Sequence, residues 1–409
     1  MSVFSSGDLL IPSEALLPDW AVVACDQFTS QPDYWEQVRA HTEGRPSAYH
    51  IVFPEAELGQ NEQAHIASIN ETMRRCMDAE IFRRFPGSFV YVERTLLDGS
   101  VRRGVVGVID LEAYDYAADA VSPVRATERT VVERIPPRVR IREGACLELS
   151  HVMLLMDDPA GAVLDSLTAQ KATLTPVYDF ELMQGGGRIC GRLVSGSEAE
   201  AFAAQIAAYE REAALRFEAL GRAPLLYTVG DGNHSLAAAK SCWESRKAQG
   251  AAANHPARYA MVELQDIRDT SQRFEPIHRI VTGVSPEKLL EDCAALCAPG
   301  GHEISWAAGE ERGLLRLDRA RGELPVAILQ PFLDEWLNKN GGSIDYIHGE
   351  DVALRLAAEP GAVAFLLPPI SKDDFFRSIA LDGVLPRKTF SMGHAQEKRY
   401  YLECRKIVP

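Results

Sequence analysis

No stretch of this chain approaches the run of about eighteen apolar residues that a transmembrane helix needs, so a membrane span is not expected. The opening residues, MSVFSSGDLL, lack the basic and apolar blocks of a secretory signal, and the expectation is a cytoplasmic protein. Positive charge is scarce: 43 Lys and Arg face 58 Asp and Glu, a formal net charge of −15. A chain this acidic has no general attraction for a phosphate backbone or an anionic membrane. Neither nucleic acid nor a membrane surface is therefore an expected partner, and an anionic ligand must be a small molecule held by local donors. Cysteines are few and scattered. Only Cys293 and Cys297 lie close together, and no further ligands at short spacing complete a zinc pattern, so they read as half-buried thiols. Repeats and low-complexity blocks are absent.

What the 409 residues do contain is alternating apolar periodicity, enough for two or three domains. FVYVERTLLDGSVRRGVVGVID reads as a hairpin about Asp98-Gly99. Residues 61–80 read as a helix and LELSHVMLLM, 147–156, as one strand. Gly-rich MQGGGRICG, 183–191, lies between two strands and reads as a hairpin loop. Ser197 with Glu200 forms a capping-box pattern for a long helix, and Ser285-Pro286 starts another. Strands and helices mix without strict βαβ order, which predicts an α+β fold with mixed sheets.

The most informative stretch is LLYTVGDGNHSLAAAK, 225–240. An apolar strand drops into Gly230-Asp231-Gly232-Asn233-His234-Ser235 and then into an alanine-rich helix. The first turn of a helix has unpaired N–H groups and a dipole that favours negative charge. Glycines at 230 and 232 let a phosphate approach the backbone, His234 can donate to an oxygen, and Asp231 suits a bound Mg²⁺ or a nucleotide hydroxyl. A simple turn with an Asp or Asn cap explains the same residues.

Further candidates each stand beside a plainer reading. Arg-rich RATERTVVERIPPRVRIREG holds Glu128, Glu133 and Glu143, the usual pattern of a solvated face. His278 and Arg279 end a strand pattern and could meet a carboxylate or phosphate, or be a half-buried imidazole beside a surface arginine. Lys388 could bind phosphate as a point charge or sit at a solvated strand end. Asp26 could orient a ligand or ligate Mg²⁺, or cap Gln27–Ser30.

The corner, as strand, Asp231-Gly232-x-His234, helix, resembles the signature of the ParB/sulfiredoxin-like superfamily, which includes the free-serine kinases. Their motif is Asp-Gly-His-His-Arg; here Asn233 and Ser235 stand in place of its first histidine and its arginine. Thr127-Glu128-Arg129-Thr130, the hairpin, DLEAYD, EPIHRIV, IDYIHG, AFLLPP and GVLPRKTFSMG together resemble the family called domain of unknown function 1015. The resemblance implies a ParB/sulfiredoxin-like core within residues 1–290 and a C-terminal α/β lobe over 291–409. It implies ATP or ADP as cofactor, with Mg²⁺ at Asp231 and Asp26, and nucleotide contacts from Gly230, Asp231, Gly232, Asn233, Ser235, His278, Arg279 and Lys388. It implies catalytic parts for His234 and for Glu128 as base, lining one cleft, in a phosphotransferase acting on a small hydroxylated metabolite. The alternative is a nucleotide-binding switch or scaffold without transfer chemistry.

Overall fold

A computed structural model describes residues 2–59, 61–130 and 135–409. Glu133 lies outside the described residues. The predicted hairpin forms: Phe82–Thr95 runs antiparallel to Val101–Asp110, with Val90 opposite Val106. Gly99 supplies φ +81° at the turn, a value that Cβ-bearing residues adopt at a cost. Successive side chains leave the strands on opposite faces. Val90, Val92, Val106 and Val108 join one buried cluster, while Phe89, Tyr91, Val105 and Ile109 join another. Because both faces are covered there, the central stretches 89–92 and 105–109 read as apolar runs.

That hairpin is the centre of a 13-stranded mixed sheet. From one edge the order is Tyr114–Asp115, Val124–Ala126, Tyr227–Asp231, Met153–Met156, Tyr259–Asp266, Val101–Asp110, Phe82–Thr95, Gly7–Pro12, Cys404–Lys406 and Leu147–Leu149. Val124–Ala126 is parallel to Tyr227–Asp231, and Met153–Met156 is parallel to Tyr259–Asp266; most other pairings are antiparallel. The fold is α+β. Among the described residues no helix is long and apolar enough to cross a membrane.

Two local expectations shift and a third holds. The segment 147–156 is two strands, Leu147–Leu149 and Met153–Met156, broken at Ser150-His151-Val152. The long helix Gly196–Glu218 begins before Ser197, so that hydroxyl lies inside the first turn and bonds Glu198 at 3.2 Å in place of a capping box with Glu200. Ser285 does cap Pro286–Cys293, accepting from the Lys288 N–H at 3.4 Å.

The chain divides into two compact units, Met1–Ala126 with Thr130–Gln272 and His394–Pro409, and Thr127–Arg129 with Arg273–Gly393. The division falls at Gln272/Arg273, not near residue 290, because Phe274–Thr282 pairs with Ser343–His348 and Ala362–Leu366 in a separate 6-stranded sheet. The C-terminal segment instead pairs within the first unit: Tyr400–Tyr401 with Val22–Val23, and Cys404–Lys406 with Gly7–Pro12.

Candidate functional site

In the first unit, strand Tyr227–Asp231 carries a register shift between Val229 and Asp231 against Met153–Met156, a bulge that re-aims the chain at its end. Helix Asn233–Ala248 follows at once, with Gly232 as its N-cap at φ +84° and no capping side chain. The sequence alternative of an Asp or Asn cap is therefore not what forms; Asp231 Oδ1 accepts from the next residue, the Gly232 N–H, at 3.0 Å. Close packing fixes the glycine as well, since a Cβ there would stand 3.0 Å from the Val152 Cα. His234 and Ser235 are half-buried in the first helical turn.

Around this corner the tertiary structure gathers groups from three distant segments. The Lys398 ammonium lies 3.4 Å from Asp231 Oδ2. Its segment is pinned from beneath: the buried Arg94 guanidinium donates to the carbonyls of Gln396, Glu397 and Lys398, and Arg102 to that of Glu397 at 2.6 Å. Burial, reinforced by Arg102, pulls the Arg94 pKa down to about 9. Arg399 then locks the next residue, donating to Glu263 at 2.8 Å and Glu403 at 2.7 Å.

His151, at the strand break, is 2 % exposed and packs against Gly232. Its Nδ1 meets the Tyr401 hydroxyl at 2.7 Å, and its Nε2 is 3.7 Å from Asp26 Oδ2. Burial would raise the Asp26 carboxyl, but His151, Gln27, Arg138 and Lys398 together hold it below its ordinary value. Asp26 thus sits among cationic and donor groups, and its oxygen accepts from the Gln27 amide at 2.9 Å. Asp26 and Asp231, assigned as Mg²⁺ ligands from sequence, do not make a preformed site. Among the described residues no group of three His, Cys, Asp or Glu could hold a metal, and an ammonium already faces Asp231.

Glu128, His278, Arg279 and Lys388 belong to the second unit. There Arg279 is fully buried, and its planar fork is engaged by the protein. It donates to Gln330 Oε1 at 2.7 Å, to the Ile277 and Lys388 carbonyls at 2.6 and 2.8 Å, and to the Arg387 carbonyl at 3.3 Å. Burial lowers its pKa to about 10, and the guanidinium stacks 4.9 Å from the Tyr346 ring. It braces the 387–388 turn, where Lys388 is exposed and takes φ +56°. That internal engagement is a bracing role, in place of the nucleotide contact expected from sequence. His278 Nδ1 accepts from the Leu367 N–H at 3.1 Å, and burial lowers its pKa, so it is a neutral, satisfied imidazole. Glu128 accepts from the Thr389 N–H at 3.3 Å and bridges to Leu385. Burial raises its carboxyl above the ordinary range, while the Lys388 and Thr389 backbone groups counteract part of that rise.

Sequence reasoning missed His151, Lys398, Tyr401 and Arg94. A Ser-His pair interrupting an apolar run was the visible signal for His151; the others come from segments that only folding brings near the corner.

A family profile described as a protein of unknown function, DUF1015, matches residues 10–406. The chain belongs to the DUF1015 family. No curated protein matches it. Its similarity to solved structures is distant. A point mutant of free serine kinase in complex with ADP shares 11 % identity, with 74 % of this chain and 92 % of that one covered and a TM-score of 0.38. SbnI from Staphylococcus aureus, truncated at its C-terminus, shares 10 %, covering 70 % and 82 %, with a TM-score of 0.36. A conserved hypothetical protein from Pyrococcus furiosus shares 10 %, covering 72 % and 93 %, with a TM-score of 0.35.

Proposed function

We propose that this DUF1015 protein binds the phosphates of ATP or ADP at the Gly230–Ser235 corner, within a ParB/sulfiredoxin-like core, and transfers a phosphoryl group to a small hydroxylated metabolite. The observation that carries the reading is the helix Asn233–Ala248, which begins on Gly232 with no capping side chain and has the Lys398 ammonium beside its entry. A helix start of this kind, with glycine allowing close approach, favours an anion through its N–H groups and dipole. Lys398 adds a compact positive charge, and His234 and Ser235 supply side-chain donors.

In the transfer step the acceptor hydroxyl oxygen bonds to the terminal phosphorus and the bond to the bridging oxygen of the nucleotide breaks. The shortened nucleotide leaves with that electron pair. The acceptor proton goes to a carboxylate base, the part that the sequence resemblance gives to Glu128, whose carboxyl burial raises. Asp231 and Asp26 would hold Mg²⁺ only together with the nucleotide phosphates, whose charge the ion would neutralise. One observation favours the rival reading of a nucleotide-binding module without chemistry: Glu128 is held by backbone N–H groups of the 388–389 turn.

A thermal-shift and calorimetry panel of ATP, ADP and AMP, with and without Mg²⁺, tests the binding, since a ligand of the native state raises Tm with dose. Glu128→Gln tests the chemistry: nucleotide affinity is kept and phosphorylated product from a panel of hydroxylated amino acids, polyols and apolar alcohols is lost. A Glu128→Gln protein as active as the parent removes Glu128 as base. A parent that binds nucleotide and phosphorylates nothing supports the binding module.

A further inference from the structure

A cavity of about 130 Å³ opens within the first unit, and the corner helix itself supplies part of its wall through Ser235 and Ala238. The rest of that wall is chiefly apolar, from Val52, Phe53, Met73, Ile141 and Leu149. Polar and charged groups complete it. Besides Ser235 they are the Cys25 thiol, the Tyr401 hydroxyl, the Glu55–Arg138 ion pair, and Arg142 with Glu148, themselves bonded to each other at 2.5 Å. Tyr401 is fixed by His151 at 2.7 Å and by Cys25, whose sulfur its hydroxyl reaches at 3.1 Å. Burial, with Asp26 adding to it, pushes the Cys25 thiol up to about 11, so this part of the wall is uncharged at neutral pH.

Size and polarity together narrow the occupant. An engineered apolar cavity of roughly 150 Å³ accepts benzene and stays dry without it. A cavity of about 130 Å³ fits a branched aliphatic or phenyl-sized group. A serine-sized side chain would leave most of the apolar wall uncovered.

We propose that this cavity is the acceptor pocket, and that the acceptor is an alcohol with a branched aliphatic or phenyl body whose polar end lies toward Ser235 and Tyr401. The assignment as acceptor rests on the phosphotransferase reading; the preference for an apolar body rests on the cavity alone. Benzyl alcohol and 3-methylbutan-1-ol are expected to raise Tm with dose and to bind by calorimetry at least tenfold more tightly than serine or glycerol. Ala238→Leu, which fills the cavity from the helix, and Leu58→Trp, which fills it from the half-exposed rim, are each expected to weaken benzyl alcohol at least tenfold and leave ADP affinity unchanged. Serine or glycerol binding as tightly as benzyl alcohol overturns the proposal. So does a folded filling variant that keeps its benzyl alcohol affinity, or one that loses ADP affinity by the same factor, which would give the cavity to the nucleotide. If neither variant folds, benzyl alcohol soaked into parent crystals decides: density between Phe53 and Ala238 supports the pocket, and its absence overturns it. ADP binding without benzyl alcohol binding removes the pocket and keeps the corner reading; benzyl alcohol binding without ADP binding does the reverse.

Discussion

In the 385–389 turn, charged side chains face inward onto the backbone. Arg279 donates to two of the turn's carbonyls, and Glu128 accepts from one of its N–H groups. At the 230–235 corner the arrangement is reversed. The buried arginines lie one layer back, holding the 396–398 carbonyls, and the group presented beside the corner is a lysine on a short ion pair with Asp231. What separates the turn from the corner is where the hydrogen bonds end. A guanidinium engaged on four sides by carbonyl oxygens braces a loop, whereas a helix start without a capping side chain has donors suited to an anion.

That contrast breaks first at Arg279. Arg279→Ala leaves several buried carbonyls and Gln330 without their donor and should cost about 3–5 kcal/mol of stability, read by denaturant unfolding. A loss near zero would mean that the turn does not depend on it. Gly232→Ala comes next. Its φ of +84° and the Val152 contact at 3.0 Å should cost about 1–2 kcal/mol, together with weaker nucleotide binding. His234→Ala should leave unfolding nearly unchanged and lower nucleotide affinity by about tenfold, or about 1.4 kcal/mol; equal affinity by calorimetry would sink the corner reading.

The smallest effect is in pH dependence. The Glu128 carboxyl is raised in the folded state, first by burial, so the native protein holds its proton at pH values where the unfolded chain has released it. Stability from this group is fully present below the unfolded pKa of about 4.5 and falls as pH rises through the folded value. Glu128→Gln has no such proton to lose, so its stability curve above that pH should be flatter than the parent's. Parallel curves would show that Glu128 ionises in the fold as it does in water.

The hairpin, the strand-to-helix corner and the Ser285 start were legible because each is set by neighbours in sequence. Alternating apolar residues, a glycine at positive φ and a hydroxyl three residues from an N–H need no distant partner. The unit boundary was not legible, because the pairing of Phe274–Thr282 with strands some seventy to ninety residues later is a non-local choice. Nor was the reading of 147–156 as one strand correct, since apolar periodicity does not report a break whose purpose is tertiary. His151 leaves the sheet there to meet Tyr401 and Asp26.

By itself, then, the sequence determined the elements, the acidic surface and the glycine corner, all consequences of composition and local backbone preference. Only the tertiary structure decided which charges are engaged and which face the corner. Arg279 lies within a strand and Lys398 in a loop, and neither position by itself says what its cation meets. Their difference comes from partners brought in across the chain: Gln330 and three carbonyls close around Arg279, while Arg94 and Arg102 take the carbonyls around Lys398 and leave its ammonium beside Asp231.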